Sequence, residues 1–312
     1  MPTARRSTAS VLVSRGGERL MFDCGEGTQR QLQRSLGLVQ VDEIFLTHFH
    51  ADHFLGVPGL LKSYDLGARE APLTIYGPAG LEKFFLSLEA VFGRTRFPVR
   101  LEEVADGERL AGDGYEIRPF EVSHRVPAVG YALVEDERPG RFDAEKAKEL
   151  GVRPGPDFGR LQGGEAVPGA AGTVEPAEVM GDSRPGRTVV ITGDTAPAPA
   201  TAAAADGADL LIHDSSFADA EVARAAETGH STARQAATLA AEARVKLLAL
   251  VHISSRYHVG AVLDEAKEEF ESVVAPRDFD EVELPFPERG EPRLVPNGAR
   301  ERSETPAEAS PG

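Results

Sequence analysis

Apolar runs alternate with short polar turns along most of the chain, which is typical of a protein rich in β-strands. Nine runs predict strands over 10–13, 19–23, 43–47, 73–76, 116–122, 129–134, 188–192, 209–213 and 246–252. Apolar residues at three- and four-residue spacing predict helices over 28–36, 80–92, 232–244 and 259–270. Because strands come in groups with helices interspersed, this order predicts two sheets covered outside by helices rather than a doubly wound parallel sheet.

Two segments depart from this pattern. Residues 135–187 hold one short helical stretch, 143–150, among Gly and Pro residues, and they interrupt strand-rich flanks. We expect an insertion that projects from the fold. From residue 287 onward the periodicity is lost, and Pro, Glu, Arg and Ser dominate. The expected organisation is one folded domain over 1–286, carrying the insertion 135–187, followed by a disordered tail over 287–312.

The strongest chemical signal is the segment Thr47-His-Phe-His-Ala-Asp-His53, which directly follows an apolar run. Its imidazoles and carboxylate can converge on metal only if the loop turns sharply. The spacing allows His48 and His50 to point one way and Asp52 and His53 the other. Such a group suits two divalent ions, and ligation by His and Asp without Cys favours zinc or manganese. A solvated His-rich loop is the less favoured interpretation, because further candidate ligands also lie at strand ends.

Those further candidates are His124, Asp194 and His252, each at or within two residues of the end of a predicted strand. A lone histidine at a strand end is more often structural than a ligand, but together these residues complete the ligand count. If Asp194 bridges two ions, the first has His48, His50, His124 and Asp194, and the second has Asp52, His53, Asp194 and His252. Two such ions predict hydrolysis of an ester or amide, including in-line displacement at a phosphoryl group.

The composition of the chain limits where the protein can reside and what it can bind. The chain has 312 residues, 41% of them apolar, which suffices for a continuous core. It has no apolar run of membrane-spanning length and a polar N-terminus, so we expect a soluble cytoplasmic protein without a membrane partner. The single cysteine, Cys24, can form neither an internal disulfide nor a cysteine zinc site alone. A net charge of −16 argues against nucleic acid, unless molar internal salt screens the repulsion.

The His-x-His-x-Asp-His segment resembles the metallo-β-lactamase superfamily, whose four-layer αβ/βα sandwich holds this site at one edge of two packed sheets. Other motifs resemble the ribonuclease Z family within it. They are the insertion with Pro-Gly-Pro, Phe22-Asp-Cys-Gly-Glu-Gly-Thr-Gln29, Gly193-Asp-Thr195, Gly229-His-Ser-Thr232 and His252-Ile-Ser-Ser-Arg-Tyr257. The resemblance, which reaches to about residue 287, implies a two-zinc endoribonuclease that removes the 3′ trailer of precursor tRNA. The tRNA would keep a 3′-hydroxyl and the trailer a 5′-phosphate.

The resemblance also implies roles for single residues. Asp52 would accept a proton besides binding metal, and His230 would be the general acid, because a ribose 3′-oxygen leaves poorly unless it is protonated. The ordinary interpretation of His230 is a residue that begins a helix. Asp23 would order the metal loop by hydrogen bonds. Asp214 would orient His230, and Arg256 would contact phosphate or orient a histidine.

By resemblance, the insertion is the family's flexible arm, which grips the tRNA elbow across a homodimer. Its candidate RNA contacts are Arg138, Arg141, Lys146, Lys148 and Arg153.

Two departures from the family pattern bear on the structure. The apolar strand and Gly-rich loop expected before Pro2 are absent, so we expect either an upstream extension in the gene or a bare sheet edge at the first strand. The carboxylate of Asp214 is one methylene shorter than the family's glutamate, which leaves its contact with His230 open.

Other functions remain as alternatives. A hydrolase of small substrates, such as a glyoxalase II or a lactonase, would explain the acidity, but the arm and the Gly-His-Ser-Thr loop argue against it. A binding protein with a dead site conflicts with the complete ligand set. An additional 3′-exonuclease activity is compatible with every motif.

Overall fold

The computed structural model describes residues 6–297. The part of the chain that precedes the arm forms eight strands and four helices. In chain order these are β1 (Val11–Arg15), β2 (Glu18–Phe22), α1 (Thr28–Ser35), β3 (Glu43–Phe45), α2 (Ala51–Phe54), α3 (Gly56–Leu66), β4 (Leu73–Gly77), α4 (Leu81–Phe92), β5 (Val99–Glu103), β6 (Leu110–Ala111), β7 (Tyr115–Glu121) and β8 (Val129–Glu135).

The insertion follows β8 and contains short elements only. They are α5 (Ala144–Glu149), α6 (Pro156–Gln162), β9 (Val167–Pro168), β10 (Thr173–Val174) and α7 (Pro176–Val179). The rest of the chain returns to alternating strands and helices. Its elements are β11 (Thr188–Ile191), α8 (Pro199–Ala204), β12 (Leu210–Asp214), α9 (Val222–Thr228), α10 (Ala233–Glu242), β13 (Leu247–Val251), α11 (Val259–Lys267), β14 (Val273–Val274), β15 (Glu281–Glu283) and β16 (Arg293–Val295).

Two mixed sheets form the body of the fold. The first has the strand order β1-β2-β3-β4-β5, in which β1 is antiparallel to β2 and the other pairs are parallel. The second has the order β14-β13-β12-β11-β8-β7-β6, in which the four strands from β14 to β11 are parallel and the rest antiparallel. Because β8 and β11 are neighbours, the insertion leaves and re-enters the same sheet between adjacent strands.

Three hydrophobic clusters show how these sheets are layered. One lies between the sheets and includes Phe22, Phe45 and Tyr131, whose rings contact one another. A second joins the first sheet to α1, α3 and α4. A third joins the second sheet to α8, α10 and α11. The result is the helix–sheet–sheet–helix sandwich that the sequence predicted.

All nine predicted strands and all four predicted long helices are present, with shifts of one to three residues at their ends. Helix α3 was not predicted, because Gly56, Pro58 and Gly59 break a helical pattern in the sequence. The structure shows why glycine stands at position 56. A Cβ there would come 2.0 Å from the carbonyl oxygen of Gly25.

The insertion is more ordered than the sequence indicated. Its predicted helix is α5, whose N-cap residue Asp143 accepts a hydrogen bond from the backbone amide of Lys146. In addition, α6, α7 and the β9–β10 hairpin enclose a small separate core, made of Ala147, Val152, Leu161, Val167, Val174 and Val179. We refer to residues 135–187 as the arm.

The C-terminal prediction was partly wrong. Residues 287–297 belong to the fold, because β16 pairs with β15 and the turn Pro287–Arg289 carries Glu288, which accepts hydrogen bonds from Arg138 and Arg184 at the base of the arm. Periodicity missed this segment because a three-residue strand is too short to show it. The remainder of the predicted tail, 298–312, and Pro2 lie outside the described residues.

Strand β1 lies at one edge of the first sheet, with β2 as its partner in the described part of the chain. A cleft of about 2400 Å³ lies beside it, with Val11 and Val13 on one side and Val189 and Ile191 on the other. No helix within residues 6–297 is both long and apolar enough to cross a bilayer.

Candidate metal centre

Two groups of potential metal ligands lie at one edge of the two sheets and share Asp194. In the first group, Nδ1 of His50 lies 3.0 Å from Nε2 of His48 and 3.3 Å from Nε2 of His124. Oδ2 of Asp194 is 3.6 Å from Nε2 of His48. These are the four residues predicted for the first ion, and their ligand atoms lie within 4.8 Å of one another.

The second group contains Asp52, His53 and His252. Nε2 of His252 lies 3.3 Å from Oδ2 of Asp52. The other oxygen of Asp194, Oδ1, lies 3.3 Å from Nε2 of His53 and 3.6 Å from Nε2 of His252. Asp194 therefore turns one oxygen toward each group, which is the geometry expected of a bridging carboxylate.

The local sequence around β3 produces this arrangement. The strand ends at Phe45, and the chain then turns sharply into the four-residue helix α2, with His50 as its N-cap. Phe49 points into the hydrophobic cluster on the outer side, where its ring stacks on Phe84 at 4.9 Å. The apolar Phe49 between two histidines thus anchors the turn that brings His48 and His50 together.

Four of the five imidazoles in the two groups have their Nδ1 held by a neighbour. His48 pairs with Oγ1 of Thr47 at 3.0 Å, His53 with Oδ2 of Asp23 at 2.7 Å, His124 with the carbonyl of Gly229 at 2.7 Å, and His252 with Oγ of Ser216 at 2.7 Å. Such partners fix the ring orientation and keep the proton on Nδ1, so that Nε2 can bind a cation.

Burial and charge act differently on the two groups. Burial lowers the pKa of His48 to about 2 and also lowers the pKa of His50, so both rings are neutral, as metal ligands must be. Burial also opposes protonation of His53, but Asp23 and Asp194 outweigh it and raise the pKa of His53 well above its usual value. The second group therefore lies in a surplus of negative charge.

The carboxylates beside these histidines are stabilised in their ionised form. Burial alone would raise the pKa of Asp194, yet His252 and His53 hold it well below its usual range. A hydrogen bond with His252 lowers the pKa of Asp52 in spite of burial. Ionised carboxylates packed against imidazoles need a counter-cation, which a proton or a divalent ion can supply.

A second observation indicates that these ligand atoms suit divalent ions. Nε2 of His53 and Oδ1 of Asp194 are buried and make no hydrogen bond. Buried polar atoms without a partner are rare and costly in native proteins. Both atoms face the two groups, where a metal ion would satisfy them, and the nitrogen and oxygen ligands without sulfur suit zinc or manganese.

The predicted general acid, His230, lies beside both groups. Its ligand atom is within 4.8 Å of those of Asp194 and His252, and its ring stacks near that of His252. Nδ1 of His230 lies 2.7 Å from Oδ2 of Asp214, so the shorter aspartate reaches the histidine after all. The open question about this contact is answered by its length.

Asp23 and Arg256 were predicted as supporting residues. Asp23 is buried and accepts hydrogen bonds from the amide and hydroxyl of Thr47 as well as from His53, so it lies directly behind the metal loop. Arg256 contacts no histidine. Its guanidinium lies over the ring of Phe217 at 5.2 Å and 3.6 Å from Glu221, which leaves a contact with phosphate as the prediction for this residue.

Three features that support the centre could not be read from the sequence. Ser216 contacts His252, and the carbonyl of Gly229 holds His124. The backbone of His252 itself has a positive φ of 59°, a conformation unusual for a residue other than glycine. Ser216 lies two residues after Asp214, and Gly229 begins the motif Gly229-His-Ser-Thr232, but only the folded chain brings these loops against the histidines.

Comparison with known proteins agrees with this geometry. The sequence profile described as "Metallo-beta-lactamase superfamily" matches residues 3–253. Fold and site together therefore define a hydrolase of that superfamily. Ribonuclease Z of Methanosarcina acetivorans is 47% identical over 92% of this chain and 95% of its own length. Ribonuclease Z of Natronomonas pharaonis is 49% identical over 92% and 96%. The chain belongs to the ribonuclease Z family.

A solved structure supports the same assignment. The crystal structure of human tRNase Z, short form, has a TM-score of 0.65 and 28% identity, covering 91% of this chain and 95% of that chain. The metallo-β-lactamase fold protein YhfI from Bacillus subtilis also has a TM-score of 0.65, at 20% identity, and shows the fold alone.

Proposed function

We propose that this chain removes the 3′ trailer from precursor tRNA as an endoribonuclease of the cytoplasm, with two zinc or manganese ions as cofactors. The observation that carries the proposal is the pair of ligand groups sharing Asp194, with His230 held beside them by Asp214. The arm supplies the second support, because a hydrolase of small substrates does not need a separately packed module of this size.

The two ligand groups would hold one ion each. Ions bound there supply Lewis-acid stabilisation of the phosphoryl charge and activate water for attack. The chain's own part is to place the phosphodiester between the groups, and Asp52, at the mouth of the second group, accepts the proton that the attacking water loses.

His230 completes the reaction on the leaving side. As water attacks phosphorus, the bond from phosphorus to the ribose 3′-oxygen breaks, and this oxygen must gain a proton to leave as a hydroxyl. Nδ1 of His230 is engaged with Asp214, so Nε2 remains to donate that proton. The products are a tRNA with a 3′-hydroxyl and a trailer with a 5′-phosphate.

The arm would bind the tRNA body through those cations that have no ion-pair partner among residues 6–297. Arg141, Lys146 and Arg153 are exposed and form no ion pair with any other residue in 6–297. Lys148 pairs with Glu145 at 2.7 Å, and Arg138 pairs with Glu288 at 2.7 Å at the base of the arm. We therefore assign RNA contacts first to Arg141, Lys146 and Arg153, and give Arg138 a structural role.

A homodimer is part of the proposal. Leu66 at the end of α3 and Leu86 and Val91 on α4 expose large apolar side chains on two helices that pack together. A second copy would cover them, and it would present the arm of one protomer to tRNA bound at the site of the other. Light scattering of the purified protein measures the mass directly, and a monomer at all working concentrations would exclude this arrangement.

The test of the function is cleavage of a precursor tRNA labelled separately at each end. We expect one cut at the base of the trailer, a full-length trailer fragment with a 5′-phosphate, and loss of activity with chelator that zinc or manganese restores. A ladder of shortened trailers would instead indicate an exonuclease. Hydrolysis of a thioester or lactone with the precursor left intact would favour the small-substrate enzymes.

A further inference from the structure

Ser216 connects three residues of the centre that otherwise stand apart. Its Oγ lies 2.7 Å from Nδ1 of His252 and 2.7 Å from Oδ1 of Asp214, and 3.3 Å from Nδ1 of His230. The side chain is almost fully buried.

The protons on these contacts have one consistent arrangement. Nε2 of His252 faces Asp52 and Asp194, so it must be unprotonated to bind a cation, and Nδ1 carries the proton. Nδ1 then donates to Oγ of Ser216. The hydroxyl has a single proton of its own, which it donates to Oδ1 of Asp214.

Asp214 has no acceptor site to spare for His252. Oδ1 receives the amide and the hydroxyl of Ser216, and Oδ2 receives the amide of Thr195 at 3.1 Å and Nδ1 of His230 at 2.7 Å. Four donors fill the four lone-pair positions of a carboxylate. Nδ1 of His252 is 4.0 Å from Oδ1, too far for a direct hydrogen bond, so it reaches Asp214 only through Ser216.

The geometry points to Ser216 as a positioning residue that links the metal ligand His252 to Asp214, the carboxylate that holds the general acid His230 directly. The inference rests on the proposed function for the role of His230, but the part that concerns His252 needs only a metal at the second group. Binding of an ion there and the orientation of the acid share one buried hydrogen-bond network.

The test compares four variants in metal affinity and in rate. Ser216→Ala removes the hydroxyl, while Ser216→Val and Ser216→Thr form a pair of equal shape that differs only in that group. Ser215→Ala is the matched control, because Ser215 is a similarly buried neighbour whose hydroxyl, among residues 6–297, donates only to the carbonyl of Val251. Circular dichroism and thermal unfolding check that each variant folds.

Metal affinity is measured as zinc bound per chain against buffered free zinc. We expect Ser216→Ala and Ser216→Val to lower the affinity for one of the two zinc ions by roughly 10–100-fold. This is the usual effect of losing a residue that hydrogen-bonds to a metal ligand. Ser216→Thr and Ser215→Ala should bind both ions as the wild type does. In the zinc-loaded wild type, ¹⁵N NMR should find the proton of His252 on Nδ1, and single-turnover cleavage should slow in the Ala and Val variants only.

Equal zinc affinity in Ser216→Val and Ser216→Thr, or a proton on Nε2 of His252, would overturn the inference. The proposed function fails separately. If the wild type leaves precursor tRNA intact while the Val and Thr variants still differ in zinc affinity, the role of Ser216 at His252 stands and the substrate is wrong.

Discussion

The metal centre and the arm are built in opposite ways. At the centre, ligands from several loops meet in a buried space, and three of the five histidines are held by residues distant in the chain, His53 by Asp23, His124 by Gly229 and His252 by Ser216. The arm has its own small core, and it begins and ends at adjacent strands of one sheet. Its exposed cations depend on no contact with the centre.

Under the proposed function, this contrast predicts that chemistry and RNA binding reside in separate parts of the molecule. A change at the metal ligands should affect every substrate, whereas a change in the arm should affect tRNA alone. Measurements on two substrates, a precursor tRNA and a small activated phosphodiester, therefore test the contrast directly.

The largest effect is expected from Asp194→Asn, because Asp194 turns one oxygen to each ligand group. We expect activity on both substrates to fall by about 10⁴-fold, since each ion contributes several kcal/mol to stabilising the transition state. Elemental analysis should find about two ions in the wild type and fewer in the variant. Two tightly held ions in Asp194→Asn would exclude the bridging role.

His230→Ala should slow single-turnover cleavage of precursor tRNA by roughly 10²–10⁴-fold, while metal content and tRNA affinity stay unchanged. A nitrophenyl phosphodiester, whose leaving group departs without a proton, should be hydrolysed almost normally. Both rates are measured on the same preparation. Their comparison separates protonation of the leaving group from other effects of the substitution. Equal losses on both substrates would mean that His230 acts on the metals instead.

Deleting the arm between Pro139 and Ser183, with a short Gly/Ser linker, retains Arg138 and Arg184 and their contacts with Glu288. We expect kcat/KM for precursor tRNA to fall by about 10²-fold, because remote contacts position the scissile bond. Hydrolysis of the small phosphodiester should not change. A matching loss on that substrate would show that the arm supports the fold of the centre.

Within the arm, Arg153→Ala and Arg160→Ala each remove one positive charge, but from different surroundings. Arg160 is paired with Asp157 and Glu165, whereas Arg153 forms no ion pair in the described part of the chain. Arg153→Ala should weaken tRNA binding several-fold and reduce the slope of log affinity against log salt by about 1. Identical slopes for the two variants would show that net charge alone matters.

The smallest effect concerns the junction of the two regions, where Glu135 ends β8. Burial alone would raise the pKa of Glu135, but hydrogen bonds from Arg187 and Arg15 lower it to about 2 from a usual value of 4.5. A carboxyl group whose pKa is lowered in the folded state stabilises the fold at pH values above its usual pKa. This stabilisation is lost as the pH falls toward 2.

The free energies of unfolding of the wild type and of Glu135→Gln should therefore differ at pH 6. The two values should converge between pH 4.5 and 2. Urea titrations of both proteins without metal measure them, so that metal release does not contribute. A difference that is constant with pH would assign the effect to packing rather than to charge.

Much of the fold could be predicted because its signals are local. Each buried strand of the body reads as an apolar run, and Thr47–His53 carries four ligands within one turn. Helix α3 and strand β16 could not be predicted, the first because glycines obscure it and the second because it is three residues long. Both are stabilised by tertiary contacts, which periodicity does not report.

At the centre, the sequence predicted which side chains meet but not what holds them. Whether Asp214 reaches His230 depends on how closely two loops approach each other. A difference of about one methylene length decides it. The role of Ser216 arises where three separate segments meet, and a serine alone carries no signal for it. These residues show the limit of motif reading, since a motif names residue types and the fold sets their distances.

The placement of the arm has a consequence for the integrity of the chain. Five of the ligands precede it, and Asp194 and His252 follow it, so each ion would tie the two sides together. Asp52 and His252, which share the second group, are 200 residues apart. An ion there restricts the unfolded chain much as a covalent cross-link would. A protease that nicks the arm would thus leave two fragments stapled by their metals, and a chelator would loosen them.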